Sequence, residues 1–130
     1  MNTVKNYKAS NIGEIRKVAR VTLHEDLGLT GSEVSINNLP AGVSVPFVHA
    51  HKQNEEVYIV LAGKGHFYID GEEFAVEEGS VLRLDPKAAR CVKADVGSPL
   101  RYVCIQSNAG SLKGFTETDG VPVDVKPSWL

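Results

Sequence analysis

Turn signals recur every few residues along most of this chain, and they constrain its fold more than any other feature. Between the Gly, Pro and Asp-Gly breaks, apolar residues come as short runs, many of them alternating with polar ones, with almost no helical period. Lys17–His24 alternates, with Ala19, Val21 and Leu23 on one face, and predicts a strand. Glu25–Ser32 carries Gly28 and Gly31 and predicts a loop. Glu33–Leu39 is a second strand, broken by Pro40-Ala41-Gly42, and Val43–His51 is an extended run interrupted at Pro46. Val57–Leu61 is wholly apolar and rich in β-branched or aromatic residues, which predicts a well-buried strand. Gly63-Lys64-Gly65 predicts a turn, after which His66–Ile69 pairs back. Asp70-Gly71 signals a hairpin into Glu72–Val76. Gly79 marks another turn. Val81–Leu84, Arg90–Ala94 and Leu100–Gln106 complete the strands. So many short strands at close spacing predict an all-β sandwich or barrel.

A chain of 130 residues fits one domain, 1–130, with 1–13 an arm or edge strand and 107–130 a tail that Trp129 could dock onto the body. Hydrophobic residues at 42% can build a core. A net charge of −2 with dispersed Lys and Arg gives no nucleic-acid footprint and no polybasic membrane patch. No apolar run approaches the roughly 20 residues that span a bilayer, and Met1–Ser10 lacks the apolar core of a signal peptide. The expected location is cytoplasmic. There Cys91 and Cys104 are expected to be free thiols.

Chemistry concentrates in His49-Ala50-His51-Lys52-Gln53-Asn54-Glu55-Glu56. Side chains two apart on an extended segment share a face, so the two imidazoles point together and a polar turn then supplies a carboxylate. Two imidazoles and a carboxylate suit a divalent transition metal and can leave coordination positions open. On an unbroken strand, an inward Glu56 also sends Tyr58 and Val60 inward, which makes Tyr58 a candidate catalytic or supporting hydroxyl.

Gly42 to Gly63 resembles the first conserved motif of the cupins: a glycine, a spacer, His-x-His, a short spacer, Glu, six residues, then Gly. Glu56 followed by Val-Tyr-Ile-Val-Leu-Ala and Gly63 meets that spacing; Glu55 misses it by one. The spacer from Gly42 to His49 is one residue longer than usual. The second cupin motif, a glycine, a spacer, Pro-x-Gly, two residues and His, is degenerate in Gly79 to Cys91. Ala88 stands at the glycine and Cys91 at the histidine. The resemblance implies a single antiparallel cupin-type β-barrel (a double-stranded β-helix or jelly roll). It implies one divalent metal (Zn, Fe, Mn, Ni or Cu) on His49, His51 and Glu56. Cys91 is open to three readings: a thiolate ligand, a buried small hydrophobe, or a bystander to a three-ligand facial site.

The expected function is a metal-dependent enzyme acting on a small polar or anionic molecule, dioxygenase- or isomerase-like. The alternative is a non-catalytic barrel that binds a small ligand, with or without metal. Cys104 reads as core. Lone His24 and His66 read as surface or satisfied histidines. Arg83 and Arg90 could hold an anion, although surface salt bridges explain each arginine as well. Tyr68 and Gln106 are further candidates to line a pocket. No phosphate loop, nucleophile elbow or calcium loop is present. Small cupins pair through edge strands, so a homodimer is expected.

Overall fold

The structure, a computed structural model, describes residues 5–130. Its elements in chain order are a 3₁₀ turn Ile15–Lys17, β1 Arg20–Thr22, a single helical turn α1 His24–Leu27, and β2 Glu33–Leu39. There follow β3 Asn54–Ile69, β4 Glu72–Glu77, β5 Val81–Leu84, β6 Arg90–Ala94, β7 Leu100–Asn108 and a 3₁₀ turn Glu117–Asp119. All strand pairs are antiparallel: β1 with β2, β2 with β7, and β3 with each of β4, β5, β6 and β7.

One strand organises the rest. The first part of β3 lies between β7 and β5, in the registers Glu56↔Gln106 and Glu56↔Leu84. Its last part lies between β4 and β6, in the registers Phe67↔Phe74 and Phe67↔Val92. The expected turn at Gly63-Lys64-Gly65 does not exist. The chain runs through as one 16-residue strand with a bulge between Val60 and Ala62. The two glycines serve close approach instead of reversal. Gly63 has φ +84°, and a Cβ there would collide with the carbonyl oxygen of Pro99; a Cβ on Gly65 would lie 2.5 Å from Lys93 O. β3 can pass from one half of the sheet to the other only where its neighbours come this near.

The Asp70-Gly71 turn forms as expected, with both residues at positive φ (50° and 91°), the signature of a type I′ hairpin. Two N-terminal expectations need correction. The strand shrinks to β1, and residues expected to be strand end or loop make α1, stopped by left-handed Gly28. Val43–His51 is not a regular strand. It meets β6 through isolated bridges, Ser44↔Lys93 and His49↔Arg90, on either side of Pro46, which has no N–H to give. The architecture is the expected all-antiparallel β fold, with the hydrogen-bonded ladder left open where these isolated bridges stand among the described residues.

The core lies between the two halves of the sheet. Tyr58 from the first half packs edge-on against Phe67 from the second at 4.9 Å, and Tyr102 lies 5.6 Å from Tyr58. Val60, Val76, Leu84, Val92, Ala94 and Leu100 fill the remaining space. Trp129 does not dock: it is 82% exposed, along with Phe115, Val121, Val123 and Val125 of the same tail. Among the described residues no helix is long and apolar enough to cross a membrane.

Candidate metal centre

His49 and His51 arrive on the extended segment beside β6. His49 exchanges backbone hydrogen bonds with Arg90 (3.1 and 2.9 Å), and His51 N donates to Pro86 O at 2.8 Å. These contacts put both imidazoles on one side, as their spacing predicts, with ring centroids 5.2 Å apart and planes at 85°. Glu56 reaches them from the start of β3. One ligand atom from each of His49, His51 and Glu56 lies within 4.8 Å of the others.

Glu56 is almost fully buried, and its carboxylate is held from three sides. Oε1 accepts from Arg90 Nη1 and from the Tyr58 hydroxyl at 3.1 Å. Oε2 accepts from Cys104 Sγ at 3.1 Å and faces His51 Nε2 at 3.4 Å. Burial alone would raise the Glu56 pKa. The hydrogen bonds from Cys104 and Arg90, with the charges of Arg90 and His51, outweigh burial and hold the carboxyl below its usual range. Burial lowers the His49 pKa, and His51 lowers it further, so His49 favours the neutral form that a metal requires. Burial pushes the Cys104 thiol up to about 12, and the neighbouring Glu56 adds to the shift. Tyr58 is raised as well, by burial first, with Cys104 and the Glu56 carboxylate beside it adding to the shift.

His49 Nδ1 and His51 Nε2 are buried without any hydrogen-bond partner among the described residues. The 3.4 Å approach of His51 Nε2 to Glu56 lacks hydrogen-bond geometry, so it does not satisfy that nitrogen. Two orphaned imidazole nitrogens beside a carboxylate oxygen fit a divalent cation: buried nitrogens rarely go unpaired, and these three donors match its preferences.

The cavity at this site measures about 280 Å³, near the small end of ligand pockets. Besides the three candidate ligands, its lining includes Tyr58, Arg90 and Cys104 around Glu56, Arg20 and Asn37 from β1 and β2, and the predicted Cys91 and Gln106.

The remaining predicted residues separate clearly. Cys91 is not brought into the His49–His51–Glu56 group. Along β6 the residues Arg90, Val92 and Ala94 are buried, and alternation turns Cys91 and Lys93 the other way. The Cys91 thiol donates to Val45 O at 3.2 Å, with Ser44 Oγ 3.7 Å away, at the edge of the cavity. Arg90 takes the inward position, so the expectation of a surface arginine fails for it. It is 1% exposed, and its other N–H groups donate to Ala88 O, Asp85 O and Pro86 O. Arg83 does lie on the surface, beside Asp85. His24 and His66 are far more exposed than the site histidines, each 3.9 Å from a carboxylate. Cys104 is core, as expected, but its bond to Glu56 was missed. So was the inward turn of Arg90, which its alternation with Val92 and Ala94 could have revealed.

A family model described as a cupin domain matches residues 36–106, more than half of the chain. This chain is a member of the cupin family. Among solved structures it is similar to a cupin protein from Bacteroides fragilis. The two are 52% identical, with 92% of this chain and 99% of that one covered and a TM-score of 0.87. An uncharacterized protein of Methanocaldococcus jannaschii is 26% identical over 101 residues, 78% of each chain. A sugar phosphate isomerase of the cupin superfamily from Silicibacter pomeroyi shares the fold at 17% identity. Its TM-score is 0.61, with 70% of this cupin and 60% of that chain covered.

Proposed function

We propose that this cupin holds one divalent transition metal on His49, His51 and Glu56 and acts as a metal-dependent enzyme on a small polar or anionic molecule. The observation that carries the reading is the pair of buried, unpartnered imidazole nitrogens facing the carboxylate. Three protein ligands leave open positions, and such a metal supplies Lewis-acid or redox chemistry at a substrate oxygen. The chain's own residues set the stage. Arg90, Tyr58 and Cys104 keep Glu56 ionised and oriented, and Val45, Phe47 and Val92 limit water around it. Tyr58 contributes as a positioning residue, because its hydroxyl is committed to Glu56.

One observation favours a second reading, a ligand-binding barrel without catalysis. The Tyr58 hydroxyl is engaged by Glu56 and its pKa raised, so Tyr58 is not poised to donate a proton near neutral pH. The isomerase relative supports a small-molecule substrate in general terms only. The apolar side chains left exposed on the tail support a homodimer in which Trp129 and its neighbours meet a second copy.

Elemental analysis of protein purified without a metal-affinity tag tests the proposal. The expected result is about one equivalent of metal per chain, lost in His49→Ala and in His51→Ala. Unchanged metal content in both variants would overturn the site.

A further inference from the structure

Three arginines bear on the cavity or its surroundings, and they differ in what they have left to offer. Arg90 lies inside, but its charge is paired with Glu56 and its Nε and Nη2 groups are engaged by the carbonyls of Ala88, Asp85 and Pro86. Arg83 lies outside, beside Asp85. Arg20 lines the mouth of the cavity from β1. Among the described residues no carboxylate comes within ion-pair distance of it, and its guanidinium makes no hydrogen bond.

The strand registers explain why Arg20 belongs to this cavity. Arg20 pairs with Asn37, and Asn37 pairs with Tyr102, so the three stand in one cross-strand row. Asn37 and Tyr102 are buried and face inward, and the same row continues to Val60 on β3. The adjacent row carries Ser35 and Cys104. Arg20 is thus the outer end of a line that leads to the ligand-facing wall.

We infer that Arg20 and Asn37 form an anion-binding subsite, and that the natural ligand is a small organic acid whose carboxylate sits there. The inference rests on the metal-site reading only for where the rest of the ligand lies, towards His49 and His51. A guanidinium matches a carboxylate through two parallel N–H donors. Asn37 Nδ2 donates one hydrogen to Ser35 Oγ at 3.0 Å and keeps its second for a ligand oxygen. The fixed charges lining the cavity are Arg20, Arg90 and Glu56, two positive and one negative. In the metal-free cavity one monoanion neutralises that surplus. The small cavity likewise suits a compact acid.

The test follows ¹H–¹⁵N spectra of the full chain, including side-chain amides and Arg Nε–H groups, during titration with acetate, acetamide and inorganic phosphate. Acetate is expected to shift the Asn37 amide and Arg20 Nε–H signals saturably, and neutral acetamide to leave them in place. Arg20→Gln should weaken acetate binding about tenfold or more, the scale of a lost charge-assisted pair. Arg20→Lys should retain part of it. The His49→Ala/His51→Ala double variant should still bind acetate while holding no metal, which separates this inference from the metal site. Three results would each overturn it: no saturable response to acetate, equal affinity in Arg20→Gln and the parent, or a response to phosphate alone.

Discussion

The first and last parts of β3 share one backbone but are built from different chemistry. Between Asn54 and Val60 the inward residues are Glu56, Tyr58 and Val60, set against Ser35, Asn37, Tyr102 and Cys104. Between Lys64 and Ile69 the inward residues are Gly65 and Phe67, with Val76, Val92 and Ala94 around them. Alternation is identical in both parts. In the first, each buried polar atom needs a partner; in the second, only volume and shape matter. A single strand can therefore carry a charged site because its far part packs as ordinary core and holds it in place.

Two substitutions should produce the largest losses and separate the two parts. Arg90→Met leaves the Glu56 carboxylate buried without its cation and should cost about 3–5 kcal/mol in denaturant unfolding. Adding Glu56→Leu should recover most of that loss, since a buried pair replaced by apolar groups is often neutral. Phe67→Ala should cost a similar amount, about 3–5 kcal/mol, through its cavity. Glu56→Leu should not rescue it. Rescue of both, or of neither, would erase the distinction between the two parts.

Metal should act on the first part alone. At a free concentration 100 times its dissociation constant, a bound ion should raise stability by about 2.7 kcal/mol. His49→Ala should abolish the gain, and Phe67→Ala should keep it. Thermal unfolding with and without added metal reads both.

The pH dependence should be smaller, and it has a definite sign. The folded pKa of Glu56 lies below its ordinary value of 4.5. Its contribution is therefore complete above about pH 4.5 and is lost as pH falls through the folded value. His49, lowered from 6.5, acts in the same direction: its contribution is present above that value and fades as pH drops. Metal-free protein should thus lose stability on acidification from about pH 6.5. The Arg90→Met/Glu56→Leu variant should have the flatter acid limb, and Phe67→Ala should keep the parent's slope.

The tail should show the smallest effect on the fold. Trp129→Ala should change the stability of dilute protein by less than about 0.5 kcal/mol, because the side chain touches little of its own body. Sedimentation equilibrium at higher concentration should show weaker self-association in this variant.

Local signals made much of this molecule readable in advance. β2, β5 and β6 carry their expected bounds, because each is closed by a nearby Pro, Gly or Asp that acts within a few residues. The Asp70-Gly71 hairpin forms because Asp-Gly is among the few dipeptides that readily take two positive φ values. His49, His51 and Glu56 were identifiable because their spacing is itself the geometry of an extended segment followed by a strand. Gly63 and Gly65 misled for a physical reason. A glycine that frees the chain to turn and a glycine that lets another strand approach are the same residue in sequence, and only Pro99, Lys93 and Leu100, which lie about 30 residues away, distinguish them.

By itself, then, the sequence determined the strand-and-turn grammar, the cupin signature and the three candidate ligands, all properties of neighbours along the chain. Tertiary structure alone decided that β3 passes unbroken through both parts of the sheet. It also turned Arg90 inward in place of Cys91, put Cys104 against Glu56, and left Arg20 at the cavity mouth without an ion-pair partner among the described residues. Those outcomes depend on which strands lie side by side and in what register, and that pairing is settled by packing between residues far apart in the chain.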